Sequence, residues 1–204
     1  MNSLAQTLTQ QLLALSIAEI VAVVAAVLYL LLAIRRNIWC WFYAAVSTSI
    51  YVALFFGAKL YMESALNVFY FVMAIYGWYF WYAGGGSSGP PVTRWPFHRH
   101  ASAILVIVVL TLLFGYFLKE LTDAVFPFLD SLTTFAALWA TFLVARKVLE
   151  NWWYWLAIDS VSIVIYWVRD LPLTALLFVV YVVMIPFGLV AWTRAMRKQP
   201  AACA

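Results

Sequence analysis

The sequence predicts an all-α integral membrane protein whose seven transmembrane helices are arranged 3+1+3, with parallel three-helix repeats. Of the 204 residues, 67% are apolar and only 10% are charged, whereas a soluble chain is about 45–50% apolar and about 25% charged. Long apolar runs recur along the whole chain, and basic residues lie between them. Two parts of the chain also share one pattern of aromatic and small residues.

The apolar runs have the lengths that a membrane requires. A hydrocarbon core of about 30 Å needs roughly 20 helical residues. On this criterion we predict spans at residues 14–34, 38–57, 60–82, 101–118, 127–145, 150–168 and 171–192. Residues 1–13 are predicted to form an outside tail, residues 83–100 a cytoplasmic linker rich in Gly, Ser and Pro, and residues 193–204 a basic cytoplasmic tail.

The direction of the spans follows from the basic residues between them, because loops rich in Lys and Arg stay in the cytoplasm. One predicted side carries Arg35, Arg36, Arg94, Arg99, Arg146, Lys147, Arg194, Arg197 and Lys198. The other side carries only Lys59, Lys119 and Arg169. We therefore expect an outside N-terminus and a cytoplasmic C-terminus.

The shared pattern indicates an internal repeat. Asn37, Trp39 and Trp41 are matched 114 residues later by Asn151, Trp153 and Trp155. Tyr70, Met73, Gly77 and Trp81 are matched 111 residues later by Tyr181, Met184, Gly188 and Trp192. The repeats are predicted at residues 14–82 and 127–192, and the helix at 101–118 restores the direction of the chain. Transporters built from parallel repeats bind substrate near the midplane at the interface of their repeats.

Asp159 is the strongest single indication of function. It lies near the middle of the sixth predicted span, where a carboxylate costs about 2.5–3.5 kcal/mol to insert. No Lys or Arg lies at that depth in any predicted span. One interpretation is a buried Asp that is hydrogen-bonded to its neighbours, and the other is a polar site that receives a cation.

Aromatic and hydroxyl side chains share the face of Asp159. Trp152, Trp155, Ser162 and Tyr166 recur at helical spacing around it. Such a lining suits a flat aromatic cation, which can stack on the rings and make cation–π contacts. The alternative is an aromatic belt at the membrane surface, which we favour for Trp39, Trp152 and Trp153 and leave open for Trp41 and Trp155.

The first repeat supplies the remaining candidates. Trp41 and Thr48 are the repeat equivalents of Trp155 and Ser162, and Tyr70 is the equivalent of Tyr181. Asn67 shares a face with Tyr70, and its amide either joins helices or binds a ligand. We expect Asp130, after Phe126-Pro127-Phe128, to cap the fifth span.

The sequence lacks the motifs that would indicate other chemical functions. The sequence has no metal-binding, phosphate-binding or nucleophile motif and no basic stripe. We therefore expect neither enzyme activity, nor a cofactor, nor a metal, nor nucleic acid binding. Membrane lipids are the expected surroundings.

Three segments resemble the PnuC family of bacterial vitamin transporters, over nearly all the chain to Trp192. They are Leu60–Tyr70 with the following Tyr76-Gly77-Trp78-Tyr79-Phe80-Trp81, Phe126–Ser131, and Ala145–Trp152. The resemblance implies facilitated uptake of nicotinamide riboside across the bacterial inner membrane, a fold similar to SWEET sugar transporters, and a homotrimer. It also implies that a cytoplasmic kinase traps the substrate by phosphorylation.

The chain differs from the family's riboside carriers at three positions. Those carriers tend to have Gln at the position of Asn67, an amide at Ala74 and Asn at Asp159. Because thiamine is also a flat aromatic cation, thiamine uptake is an alternative. A receptor or assembly protein with seven helices and no transport activity is the alternative of a different class.

Overall fold

The computed structural model of the chain describes residues 9, 15–57, 61–84, 90–122, 125–169 and 171–198, without the side chains of 61 and 62. Most of the predicted outside tail, Lys59, the centre of the Gly/Ser/Pro linker and the last six residues lie outside the described residues. The described part is all-helical. Its helices are α1 (Ile17–Ile34), α2 (Trp39–Gly57), α3 (Tyr61–Ala83), α4 (Phe97–Leu121), α5 (Pro127–Ala145), α6 (Asn151–Val168) and α7 (Pro172–Lys198).

The seven helices confirm the predicted all-α membrane fold. Five of them, α1, α2, α4, α5 and α7, are long and apolar enough to cross a membrane on length and composition alone. The remaining two, α3 and α6, carry the polar candidates Asn67 and Asp159 together with many Trp and Tyr residues. The lower hydropathy of α3 and α6 therefore comes from the polar and aromatic side chains that include the candidate site residues.

Two helices are longer than predicted. The helix expected to begin at residue 101 begins at Phe97, with Pro96 as its N-cap, so His98 and His100 lie in its first turn. The last helix continues past Trp192 to Lys198. Hydropathy locates only the apolar part of a helix, whereas the backbone hydrogen bonds continue into the polar region of the membrane surface.

Helix ends are satisfied by local hydrogen bonds. Ser16 and Glu19 form a reciprocal capping box at the start of α1, with Glu19 N donating to Ser16 Oγ at 3.2 Å. At the end of α1, Asn37 N donates to Leu32 O at 2.9 Å and Arg36 takes a left-handed conformation, with φ of 58°.

The end of α5 repeats the arrangement of α1. Val148 N donates to Leu143 O at 2.9 Å, and Lys147 has a φ of 52°. Leu143, Lys147 and Val148 lie 111 positions after Leu32, Arg36 and Asn37. The repeat was predicted with this offset only for Tyr70 to Trp81, whereas the offset predicted for Asn37 to Trp41 was 114. The position of Arg36 and Lys147 usually holds Gly, so a basic residue at both sites is a shared departure from the common pattern.

The chain divides into two compact units. Unit 1 contains the described residues up to Val92, Ala145–Lys147, and those from Gly188 onward. Unit 2 contains Thr93–Val144 and Val148–Phe187. The units differ from the predicted repeats, because the end of α5 and the last part of α7 belong with the first three helices.

Unit 1 is held together by hydrogen bonds between its helices. Ser47 Oγ on α2 donates to Ala22 O on α1 at 2.9 Å, and Ser64 Oγ on α3 donates to Val52 O on α2 at 3.0 Å. In an apolar surrounding such hydroxyl bonds join neighbouring helices, with values of about 1 kcal/mol.

In unit 2 the chain that precedes α4 is tied to the α5–α6 connection. Leu149 N donates to Thr93 O at 2.9 Å, and Arg94 Nε lies 2.9 Å from Glu150 Oε1. His100 Nδ1 lies 3.1 Å from Tyr154 Oη. These contacts place the end of the predicted linker against the start of α6.

Candidate functional site

The buried face of α6 carries the candidate site. Its buried residues are Asn151, Trp152, Ile158, Asp159, Ser162 and Ile165. Asp159 is 4% exposed. It lies eight residues after the first residue of α6 and nine before the last, about 12–14 Å from either end at 1.5 Å per residue. Asp159 therefore lies at the middle of α6, which is the depth that the sequence predicted for its carboxyl group.

Asp159 forms no hydrogen bond and no ion pair with any described residue. Two described acidic side chains near the ends of α6 are paired, since Glu150 contacts Arg94 and Asp130 contacts Arg169. A buried carboxylate without a partner is costly. A cation bound beside Asp159 would supply the partner that the carboxylate lacks among the described residues.

The ion pair of Asp130 corrects one prediction. We expected Asp130 to cap α5, but it lies in the first turn of α5 and its carboxylate accepts a hydrogen bond from Arg169 Nη2. Arg169 follows the last residue of α6. The pair joins the start of α5 to the end of α6, and a sequence pattern at Asp130 alone could not reveal a partner 39 residues away.

Ser162 and Trp155 lie one turn from Asp159 on opposite sides. Ser162 is 5% exposed, and the Trp155 side chain is half-buried. Trp152, which we assigned to a surface belt, is 2% exposed, whereas Trp39 and Trp153 are 54% and 55% exposed as a belt requires. The assignment of Trp152 to the belt was therefore wrong, because this ring lies on the same buried face as Asp159.

The aromatic part of unit 2 includes a residue that the sequence did not suggest. The ring of Tyr166 on α6 stacks on Phe178 of α7, with centroids 5.3 Å apart and an interplanar angle of 12°. Phe178 contacts Tyr181 edge-on at 5.8 Å. Phe178 lies 111 residues after Asn67, so the repeat offset was the signal that could have identified it. The two predicted tyrosines are thereby linked through one phenyl ring.

In unit 1, Trp41 is packed as a core residue. Its side chain is 2% exposed, and its ring meets Trp81 edge-on with centroids 5.5 Å apart. A Cβ atom at Gly77 would lie 2.4 Å from the Trp41 ring. The indole Nε1 of Trp41 has no hydrogen-bond partner among the described residues. These contacts favour a structural role for Trp41 over direct contact with a ligand.

Two other candidates of unit 1, Thr48 and Asn67, use their polar groups within their own helices. Thr48 Oγ1 donates to Ala44 O at 2.8 Å. Asn67, 9% exposed, donates from Nδ2 to Glu63 O at 2.9 Å. Tyr70 is half-buried beside Phe69. Unit 1 thus contains Trp41, Thr48, Asn67 and Tyr70, and unit 2 contains Trp155, Asp159, Ser162, Tyr166 and Tyr181.

The charged end of unit 1 holds a buried lysine. Lys147 is 1% exposed, and its Nζ lies 4.0 Å from the centroid of the Trp81 ring. Burial, with a smaller effect from the charge of Arg36, lowers the pKa of Lys147 to about 8. Among the described residues, no group of three His, Cys, Asp or Glu side chains could hold a metal ion.

Comparison with known proteins places this arrangement among transporters. The nicotinamide riboside transporter PnuC of Escherichia coli (strain K12) is 25% identical over 211 residues, covering 91% of this chain and 88% of that protein. The riboflavin/roseoflavin transporter RibM of Streptomyces davaonensis is 23% identical over 187 residues, covering 88% and 86%.

The fold has a solved counterpart. The crystal structure of the vitamin B3 transporter PnuC matches with a TM-score of 0.73 at 22% identity, covering 97% of this chain and 91% of that one. The family described as nicotinamide mononucleotide transporter matches residues 16–194. This match spans all seven helices almost to the end of α7, and the chain therefore belongs to that family of membrane transporters.

Proposed function

We propose that this transporter carries a small aromatic cationic vitamin, nicotinamide riboside, into the cytoplasm by facilitated diffusion. The observation that carries the proposal is Asp159, a carboxyl group on the buried face of α6 without a partner among the described residues. A fixed positive charge on the substrate would supply the missing partner. Charge-assisted contacts are worth about 1.5–3 kcal/mol.

Aromatic side chains would bind the flat part of the substrate. Trp155 and Tyr166 share the stripe of Asp159, and Phe178 carries the stack onward to Tyr181. A planar cationic ring gains from such faces by stacking and by cation–π attraction. Ser162 would contribute a hydroxyl group for a polar edge of the substrate.

The family supports transport, and the names of two relatives support a vitamin as the substrate. One is named for nicotinamide riboside and the other for riboflavin and roseoflavin. Because an uncharged flavin would gain nothing from a carboxylate, Asp159 favours a cation. Thiamine is the second candidate, since it shares the flat ring and the fixed charge, and since riboside carriers resembling this chain tend to have Asn where it has Asp159.

The remaining features of the proposal follow from the distribution of charge and from the resemblance. The N-terminus would lie outside and the C-terminus in the cytoplasm of a bacterial inner membrane. Substrate would be trapped by a cytoplasmic kinase, so that no ion gradient is needed. Three copies of the chain would form a homotrimer.

Transport by purified protein tests the proposal. In proteoliposomes without ATP or an ion gradient, labelled nicotinamide riboside should equilibrate across the membrane. Asp159→Asn should weaken affinity roughly tenfold, which corresponds to about 1.4 kcal/mol. Glu120→Gln is the matched control, because it removes an exposed carboxylate at the end of α4.

Three outcomes would contradict parts of the proposal. Uptake of thiamine but not of nicotinamide riboside would change the vitamin. Accumulation that requires an imposed proton or sodium gradient would rule out facilitated diffusion. Failure to bind or move any vitamin would favour the receptor or assembly protein.

A further inference from the structure

We propose that Asp130 neutralises the charge of Arg169 at the end of α6 that is proposed to lie outside, and that this pairing lets a cation reach Asp159 from that end. The inference rests on the proposed function, because it concerns a substrate with a fixed positive charge. Asp130 would then act on selectivity through Arg169, by cancelling its charge, and not by contact with the substrate.

Arg169 continues the face of α6 that carries the candidate site. Ser162 lies seven residues before Arg169, which is about two helical turns, so the two side chains leave the helix on the same side. Tyr166 lies one turn before Arg169. Asp159 lies ten residues before it, about 15 Å along the helix axis. A substrate that moves along this face from the end of α6 toward Asp159 therefore passes the guanidinium group.

An unpaired guanidinium group at this place would repel the proposed substrate. Arginine keeps its positive charge in proteins. Two like charges repel each other more strongly beside a protein, where the effective dielectric constant is low, than in bulk water. Passage of a cation along this face therefore requires a negative charge that is fixed beside Arg169.

Asp130 supplies that negative charge. Its carboxylate accepts a hydrogen bond from Arg169 Nη2, and both side chains are 29% exposed. The centroid of the Phe126 ring lies 6.0 Å from Arg169 Cζ. The start of α5 and the residue before it thus hold the guanidinium group through two contacts. A pair that is held in this way has no net charge, so it presents a dipole and not a cation to the substrate.

The other charged residues that are described at this end of unit 2 do not compensate Arg169. This end includes the last turns of α4, because a Cβ atom at Gly115 would lie 2.4 Å from Phe128 near the start of α5. Lys119 and Glu120 on α4 are exposed and have opposite charges, and neither forms an ion pair with Arg169.

The two partners of the pair should respond differently to substitution in a proteoliposome uptake assay. Asp130→Asn leaves Arg169 charged and should raise the KM for nicotinamide riboside roughly three- to tenfold, with little change in the maximal rate. Arg169→Gln leaves the carboxylate and should lower the KM. The double variant should return the KM toward that of the wild type.

A purely structural pair would give a different pattern. If the pair only holds α5 to α6, both single variants should lose activity alike and the double variant should not recover it, which would overturn the inference. Should Asp130→Asn fail to fold, Arg169→Gln decides alone, because a raised KM in that variant contradicts the electrostatic role.

Two controls remove a different carboxylate near this end. Glu120→Gln changes an exposed residue of α4, and Asp170→Asn changes the residue after Arg169, which lies outside the described residues. Neither should raise the KM as Asp130→Asn does. Added salt should reduce the effect of Asp130→Asn, because ions screen charges that water reaches. An equal rise in KM with either control, or an effect that salt leaves unchanged, would overturn the inference.

A chemical probe separates this inference from the proposed function. Ser162→Cys, in a chain that also carries Cys40→Ala and Cys203→Ala, places a single thiol on the face of Arg169. Its rate of modification by a cationic methanethiosulfonate, relative to a neutral one, should fall with Asp130→Asn and rise with Arg169→Gln. An unchanged ratio, or no reaction with either reagent, would overturn the inference even if nicotinamide riboside is transported. The expected ratios without transport of any vitamin would contradict the proposed function alone.

Discussion

The indole Nε1 of Trp81 donates a hydrogen bond of 3.0 Å to the carbonyl oxygen of Ala145, the last residue of α5. Trp192, which lies 111 residues after Trp81, makes the corresponding bond of 2.9 Å to Ala33 near the end of α1. Both tryptophans are 0% exposed, and their ring centroids are 6.4 Å apart. The last helix of each predicted repeat thus satisfies the carbonyl end of the first helix of the other, entirely within unit 1.

Removal of either indole N–H should therefore destabilise the protein. Trp81→Phe keeps an aromatic ring but removes the indole donor to Ala145 O, which costs about 1–3 kcal/mol if the buried carbonyl oxygen finds no other donor. Trp192→Phe should cost less, about 0.5–1.5 kcal/mol, because Ala33 O still accepts a hydrogen bond from Arg36 N at 2.9 Å. Thermal unfolding of the purified protein should show a lower melting temperature for both variants. The control Trp153→Phe changes a ring that is 55% exposed and should have little effect. Equal melting temperatures for all three variants would show that the two indole hydrogen bonds do not contribute to stability.

Much of the fold could be predicted from the sequence, because membrane-spanning helices are marked by the composition and length of their apolar runs. The span predicted at 127–145 coincides with α5, and the start of the span predicted at 38–57 is one residue from that of α2. The start of α4 was missed because its first turn holds His98, Arg99 and His100, which hydropathy excludes. Polar residues continue a helix wherever water satisfies their side chains.

The sequence could predict which site residues share a face of one helix, but not which residues meet between helices. Periodicity on α6 was enough to group Asp159 with Ser162 and Trp155. Periodicity cannot tell which helix a ring meets, so it could not show that Trp41 packs on Gly77 or that Phe178 lies between two tyrosines. Such contacts depend on the approach of separate helices, which a single sequence does not encode in any regular spacing.

The contact between Gly77 and Trp41 gives a second stability prediction. Gly77→Ala would place a methyl group 2.4 Å from a buried indole ring. We expect a loss of about 1–3 kcal/mol from overpacking, larger than the gain of about 1 kcal/mol in helix propensity. Melting temperature measures the balance. Gly57→Ala is the control, since no atom lies within 4 Å of the added Cβ, and an equal response of the two glycines would contradict the packing argument.

Charge distribution gives a prediction about topology. Arg194, Arg197 and Lys198 lie in the last turns of α7, and such residues stay in the cytoplasm. A reporter that is active only in the cytoplasm should therefore be active when fused to the C-terminus. A reporter that is active only outside the inner membrane should be inactive there. The reverse result would invert the proposed direction of every helix.

The buried Lys147 predicts how stability depends on pH. Its pKa is lowered from 10.5 to about 8 by burial, with a smaller effect from the charge of Arg36. Between these two values the unfolded chain binds more protons than the folded protein, so the free energy of unfolding rises with pH. The burial penalty is therefore fully present below about pH 8 and falls as the lysine loses its proton in the folded state. From about pH 7 to about pH 9 the gain should be about 1 kcal/mol.

Substitution isolates the contribution of Lys147. Lys147→Met removes the titrating group while keeping an unbranched apolar side chain against Trp81. The variant should lose the rise in melting temperature between about pH 7 and about pH 9 that the wild type shows. Lys119→Met changes an exposed lysine near the end of α4 and should retain that rise. A wild-type melting temperature that falls over this range would mean that the charged form of Lys147 is the one stabilised by folding, through the Trp81 ring at 4.0 Å. The same slope in Lys147→Met as in the wild type would mean that another group titrates in this range.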